Sequence, residues 1–144
     1  MGDLAGKVQS GKNYSVAHVG QLEGLDQFKG GKLFLKEDLN LTGAEISLNR
    51  MPAGKETPFS HKHKNNEEIY IVIKGKGQFL IDGEVIDVQE GSVIRVAPEG
   101  DRAWRSDSAE DMYFICIQAH QNSLQQWTRE DGILGQSPVP WPQS

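Results

Sequence analysis

Gly54-Lys55-Glu56-Thr57-Pro58-Phe59-Ser60-His61-Lys62-His63-Lys64-Asn65-Asn66-Glu67-Glu68-Ile69-Tyr70-Ile71-Val72-Ile73-Lys74-Gly75 is the stretch on which the reading of this chain turns. It sets two imidazoles, His61 and His63, at i and i+2. Alternate side chains of an extended strand share a face, so both rings can aim at one point. A carboxylate, Glu67 or Glu68, returns on the following strand after the polar turn at Lys64-Asn65-Asn66. Two neutral imidazoles and one carboxylate, with positions left open, suit a catalytic divalent ion of the iron, manganese, nickel or zinc type. A structural zinc site would close its fourth position with another His or Cys. Periodicity does not choose between the glutamates: Glu68 shares parity with Tyr70 and Val72, Glu67 with Ile69, Ile71 and Ile73.

Outward from that stretch the chain reads as short strands separated by turns. The pattern predicts strands over residues 15–19, 32–35, 44–51, 68–74, 77–81, 84–88, 92–96, 103–106 and 112–119. Ala44, Ile46 and Leu48 alternate with Glu45, Ser47 and Asn49, the mark of a strand with one face buried. Asp82-Gly83 between apolar runs is a tight-hairpin signal. Many short strands at close spacing favour an all-β sandwich or barrel. Residues 1–13, rich in Gly, Lys and Ser, are expected as a flexible N-terminal arm and residues 14–121 as the barrel domain. Residues 122–144 are expected as a C-terminal helix over 123–130 followed by a proline-containing tail. In that helix Asn122 would cap, Gly132 would stop, and Leu124 and Trp127 would pack one face onto the barrel.

Composition narrows the function classes. The chain has 144 residues, enough for one domain, and carries 20 acidic against 15 basic residues for a net charge of −5. An acidic chain of this kind is not expected to have nucleic acid as its partner. No apolar run approaches the roughly 20 residues that span a bilayer, so no membrane partner is expected either. The amino end lacks the apolar core of a secretory signal, and the single cysteine, Cys116, permits no internal disulfide, which together predict a cytoplasmic protein. Cys116, amid Tyr113-Phe114-Ile115-Cys116-Ile117, reads as a buried small hydrophobe.

Two ordered motifs carry a family resemblance. Gly54, His61-Lys62-His63, Glu68 and Gly75 together resemble the first signature of the cupin superfamily, one residue longer between Gly54 and His61 than the common form. Gly91, followed by Pro98-Glu99-Gly100, resembles the second. The resemblance spans roughly residues 40 to 119 and implies a small antiparallel β-barrel with a divalent metal inside, held by His61, His63 and Glu68. It selects Glu68 over Glu67, because the family glutamate precedes the glycine by seven positions. It also implies a fourth ligand, a histidine, at the position occupied here by Ala103, which leaves three protein ligands. Cupins include dioxygenases, sugar isomerases and epimerases, decarboxylases, storage proteins and ligand sensors, so the family does not select one activity.

Further residues follow by parity. With Ala103 facing inward, Arg105 would project into the cavity and grip a carboxylate or phosphate, while Arg102 and Trp104 would face out. The competing reading of Arg105 is a rim charge paired with Asp101 or Asp107. Tyr70, in step with Glu68, would hydrogen-bond a metal-bound ligand or fill the core. The row Ile69, Ile71 and Ile73 would lie on the outside and need a cover, which with the tail around Trp141 predicts a homodimer. The expected function is a metal-dependent, oxygenase-like enzyme acting on a small polar or anionic metabolite, with Glu68, Tyr70 and Arg105 as candidate catalytic residues. Isomerase or lyase chemistry is one alternative; a non-catalytic binding or sensor module is another.

Overall fold

A computed structural model describes residues 2, 4 and 7–143. Strands β1 (Val8–Ser10), β2 (Ser15–Ala17) and β3 (Lys32–Phe34) come first, then a single helical turn α1 (Lys36–Leu39). The barrel strands follow: β4 (Glu45–Met51), β5 (Asn66–Lys74), β6 (Lys76–Ile81), β7 (Glu84–Gln89), β8 (Val93–Val96), β9 (Arg102–Arg105) and β10 (Met112–His120). They form a five-stranded antiparallel sheet in the order β3-β4-β10-β5-β8 and a three-stranded sheet in the order β7-β6-β9, with β1 and β2 paired as a separate ribbon. The all-β antiparallel architecture expected from the strand spacing is therefore the one observed.

Local sequence explains the joints. At the β6–β7 turn Asp82 and Gly83 both adopt positive φ, 50° and 83°, as the Asp-Gly signal requires. Gly75, between β5 and β6, sits against the backbone carbonyl of Asp111, where any side chain would collide, and its φ of 82° favours glycine as well.

Alternation sorts the side chains into two cores. Tyr70, Val72, Phe79, Val88, Val96, Trp104, Met112, Phe114 and Cys116 pack between the sheets, inside the barrel. On the opposite face of the large sheet, Ile46, Leu48, Ile73 and Tyr113 pack against Leu4, Leu25, Leu33 and Leu35. The parity read for β5 holds: Glu68, Tyr70 and Val72 are buried within the barrel, and Ile69, Ile71 and Ile73 face away from it, half-buried. Part of the cover those isoleucines needed comes from the chain's own amino-terminal segment, which lies over Ile73.

Two terminal expectations need correction. Within residues 1–13, expected as a flexible arm, Val8–Ser10 pairs with Ser15–Ala17 and Leu4 is buried, because the outer face of the sheet offers those apolar side chains a surface to cover. Residues 1, 3, 5 and 6 of that arm lie outside the described residues. At the other end the helix expected over 123–130 does not form. Asn122 takes a left-handed φ of 62°, only a 3₁₀ turn at Arg129–Asp131 appears, and Thr128 caps it by accepting from the Glu130 amide. Leu124, Trp127 and Trp141 are all largely exposed, so the apolar face that would have held a helix on the barrel makes no such contact.

Candidate metal centre

The carboxylate is placed by β5 and the histidines by the segment before it. Glu68 lies opposite Val96 of β8 and Gln118 of β10, pointing into the barrel. His61 faces Arg102 in an isolated antiparallel bridge, its amide donating to the Arg102 carbonyl (2.9 Å) and its carbonyl accepting from the Arg102 amide (2.8 Å). The His63 amide donates to the Pro98 carbonyl (2.9 Å). These backbone bonds hold both imidazoles over the barrel mouth, with Nε2 of His61 3.6 Å and Nε2 of His63 3.3 Å from Glu68 Oε1. One ligand atom from each of the three residues falls within 4.8 Å of the others.

These residues suit a divalent ion. His63 Nε2 is buried and has no hydrogen-bond partner among the described residues, an omission that is costly unless the lone pair has a cation to meet. Separations of 3.3 and 3.6 Å between donor atoms match those of ligands sharing one ion at bonds of about 2.0–2.2 Å. His61 and His63 side chains are 35% and 26% exposed, so solvent reaches the side of the cluster away from Glu68. Burial, aided by the nearby Arg102 charge, lowers the His61 pKa despite the opposing pull of Glu68, which favours the neutral, ligating imidazole.

Behind the histidines the carboxylate is tightly held. Tyr70 Oη donates to Glu68 Oε1 at 2.5 Å, Cys116 Sγ to Oε2 at 3.2 Å, and the Arg102 guanidinium to Oε1 at 2.6 Å. Burial works against the Glu68 charge, but the hydrogen bonds from Tyr70, Cys116 and Arg102, with the nearby His63 ring, outweigh it, so its pKa lies below the ordinary value. Burial and the adjacent carboxylate push the Tyr70 hydroxyl and Cys116 thiol upward, so both stay protonated as donors. Cys116 is buried, as its apolar neighbours suggested, and it also belongs to the site, which those neighbours did not indicate.

The second strand of the site differs from its expectation. Along β9, Arg102 and Trp104 are buried, Ala103 is half-buried and Arg105 is exposed. Arg105 donates from Nε (2.8 Å) and Nη2 (2.6 Å) to Gln78 Oε1 on the outer face, so it neither enters the cavity nor pairs with Asp101 or Asp107. Ala103 likewise does not face the metal cluster. The physical reason is Trp104: its ring packs against Tyr70, Phe79 and Phe114, which turns positions 102 and 104 inward and 103 and 105 outward. Arg102, 0% exposed, is the residue the sequence reading missed. Its Nε donates to the Gly100 carbonyl (2.9 Å) and its Nη2 to the Ala97 carbonyl (2.8 Å), so the fork is fixed at three points including Glu68. A cleft of about 170 Å³ lies on the outer face of the small sheet, between Leu80, Val85, Ala103 and Arg105, and none of the three cluster residues lines it.

An antiparallel barrel with two histidines and a glutamate at its mouth defines the class, and comparison with known proteins agrees. Residues 47–118 match the cupin domain family. The chain belongs to the cupin superfamily. A crystal structure of a cupin protein from Bacteroides fragilis is 41% identical, with a TM-score of 0.78 over 88% of this chain and 100% of that one. A predicted oxalate decarboxylase from Thermotoga maritima shares the fold at 18% identity and a TM-score of 0.52, over 74% of this chain and 80% of that one. An uncharacterized protein of Methanocaldococcus jannaschii is 37% identical over 49 residues; the match spans 34% of this chain and 38% of that relative. Among the described residues no helix is long and apolar enough to cross a membrane.

Proposed function

We propose that this cupin binds one divalent metal ion, of the iron, manganese, nickel or zinc type, on His61, His63 and Glu68, and acts on a small polar or anionic metabolite. The observation that carries this reading is the convergence of both Nε2 atoms on Glu68 Oε1 while His63 Nε2 finds no hydrogen-bond partner among the described residues. The ion, when bound, would supply open positions for substrate or O₂, or polarise a substrate carbonyl, which makes oxygenase chemistry the first candidate and isomerase or lyase chemistry the next. The chain's own part is to orient. Tyr70, Cys116 and Arg102 hold Glu68 in one rotamer, and the two imidazoles face solvent where a metabolite would enter. Arg105, hydrogen-bonded to Gln78 outside the barrel, has no place in this site.

One observation favours a second reading, a binding or sensor module without turnover. Tyr70 and Cys116 are engaged as donors to Glu68 and stay protonated, so neither offers a free base. Metal analysis of untagged protein, followed by anaerobic loading with Fe²⁺ and measurement of O₂ uptake over a panel of small organic acids, separates the readings. Metal together with substrate-dependent O₂ uptake that His61→Ala abolishes supports the oxygenase; a ligand returned unchanged supports the binding module. Absence of stoichiometric metal after loading removes both metal-dependent forms. A homodimer is also proposed, since the exposed Leu124, Trp127, Leu134 and Trp141 find no cover within the described chain. Light scattering that gives a single chain mass across micromolar concentrations would overturn it.

A further inference from the structure

We propose that Arg102 decides which divalent ion the centre keeps: by occupying Glu68 Oε1 it turns the site against manganese and toward ions that imidazoles hold well, zinc and nickel foremost. The inference rests on the metal reading of His61, His63 and Glu68. The two Nε2 atoms approach one oxygen of the carboxylate, Oε1, at 3.6 and 3.3 Å. That same oxygen already accepts from Tyr70 Oη at 2.5 Å and from Arg102 Nη1 at 2.6 Å. A carboxylate oxygen offers about two lone-pair sites, so both sites of Oε1 are filled before any ion arrives. The other oxygen, Oε2, is turned to the Cys116 thiol at 3.2 Å.

The two donors are not equally able to yield. Tyr70 is neutral, and its hydroxyl hydrogen can rotate to another acceptor. Arg102 has nowhere to go. Its side chain is wholly buried, its Nε and Nη2 donate to the Gly100 and Ala97 carbonyls at 2.9 and 2.8 Å, and its backbone is bonded to that of His61 in both directions. A guanidinium is also always charged. An incoming ion therefore shares Oε1 with a permanent cation, which already neutralises the carboxylate and repels a second positive charge at close range. The lone pairs of the imidazoles stand outside this competition, and His63 Nε2 has no hydrogen-bond partner among the described residues. Weakening the oxygen ligand while sparing the nitrogen ligands costs manganese, which leans on carboxylate, more than zinc or nickel, which imidazole suits.

The test measures Zn²⁺ and Mn²⁺ affinity of the purified metal-free chain, the first by competition with a chromophoric chelator, the second by the electron paramagnetic signal of free Mn²⁺. Arg102→Gln, uncharged, should tighten Mn²⁺ about 30-fold and Zn²⁺ no more than about 5-fold. Arg102→Lys, which keeps the charge, should leave the ratio of the two affinities within about 3-fold of wild type. A circular dichroism melt establishes that each variant is folded. Glu68→Gln combined with Arg102→Met leaves no charge inside and serves where the single exchange does not fold. This pair should hold Zn²⁺ within about 10-fold of wild type, because the carboxylate it lacks was already neutralised; a greater loss overturns the inference. So does an Arg102→Gln that gains no more for Mn²⁺ than for Zn²⁺ or loses both, or an Arg102→Lys that behaves like Arg102→Gln. Each of these results leaves the metal reading standing. A wild type that binds neither ion removes the metal reading, and this inference with it.

Discussion

The two sides of the metal centre are built in opposite ways. His61 and His63 ride on a segment tied down by a few isolated backbone bonds, and their rings stand partly in solvent. Glu68, Tyr70, Cys116 and Arg102 stand on strands in continuous ladders, wholly within the barrel, and bond one another. The exposed side can exchange what it binds without disturbing the fold. The enclosed side cannot change without disturbing it, because each member satisfies a buried polar group of another.

Removing the buried cation should show the largest effect. Arg102→Ala strips Glu68 of its counter-ion and leaves the Ala97 and Gly100 carbonyls without their donor, and should cost about 3–5 kcal/mol in urea unfolding. Pairing Glu68→Gln with Arg102→Met should recover much of that loss, since no uncompensated charge is then left inside. If Arg102→Ala unfolds no more easily than His61→Ala, the division between the two sides is gone.

The exposed side should fail in binding instead of folding. His63→Ala should lower metal affinity at least about 100-fold, as loss of a direct ligand ought to exceed the loss of an outer partner. Its stability should stay within about 1 kcal/mol of wild type. Isothermal titration and a melt on the same sample check both halves of the statement.

Acid should probe the two sides in sequence. The unfolded chain protonates its histidines near the ordinary value of 6.5, whereas folded His61 resists protonation, so metal-free stability should decline as pH falls below 6.5 until His61 itself takes the proton. Glu68 has its folded pKa below the ordinary 4.5, so its contribution is present above that value and is lost as pH falls through the lower folded value. Urea midpoints measured from pH 7.5 downward should lose the upper decline in His61→Ala and keep the lower one. The reverse pattern would exchange the assignments.

The smallest effect belongs to the position that the family pattern singles out. Ala103→His should leave metal affinity unchanged within about 2-fold, because residue 103 points away from the cluster. Arg102→His, on the inner side, is the substitution able to bring a further imidazole to the ion. A tighter site in Ala103→His, seen by the same titration, would mean that β9 sits in the other register.

The contrast between β5 and β9 explains what was legible in the sequence. In β5 nine residues alternate between Glu68-Tyr70-Val72 and a row of isoleucines, and the His-x-His spacing fixes where the ligands meet, so parity and ligand set could both be read. In β9 four residues carry two arginines, an alanine and a tryptophan, too short a run for periodicity to speak. The family position then favoured an inward Ala103, yet Trp104 was the better guide, because a large aromatic on a barrel strand packs inside and takes its i−2 neighbour with it. Arg102 could have been found that way. Cys116 as a donor to Glu68 had no local signal, since it depends on strands distant in sequence being brought side by side. The tail misled for a related reason: helical composition over 123–130 needs a surface to pack on, and the barrel gives it none.

The order of strands in the large sheet has a consequence for how the chain is made. β10 is the last of these ten strands in chain order, yet it lies in the middle of the large sheet, between β4 and β5. Until residues 112–120 leave the ribosome, those two strands have no common neighbour, the edge of each that faces β10 is unpaired, and the β3-β4 and β5-β8 pairs are not joined into one sheet. The nascent chain must therefore wait in an adhesive state for its final strand. A product truncated before Met112 should collect in inclusion bodies, even though it would carry every proposed metal ligand.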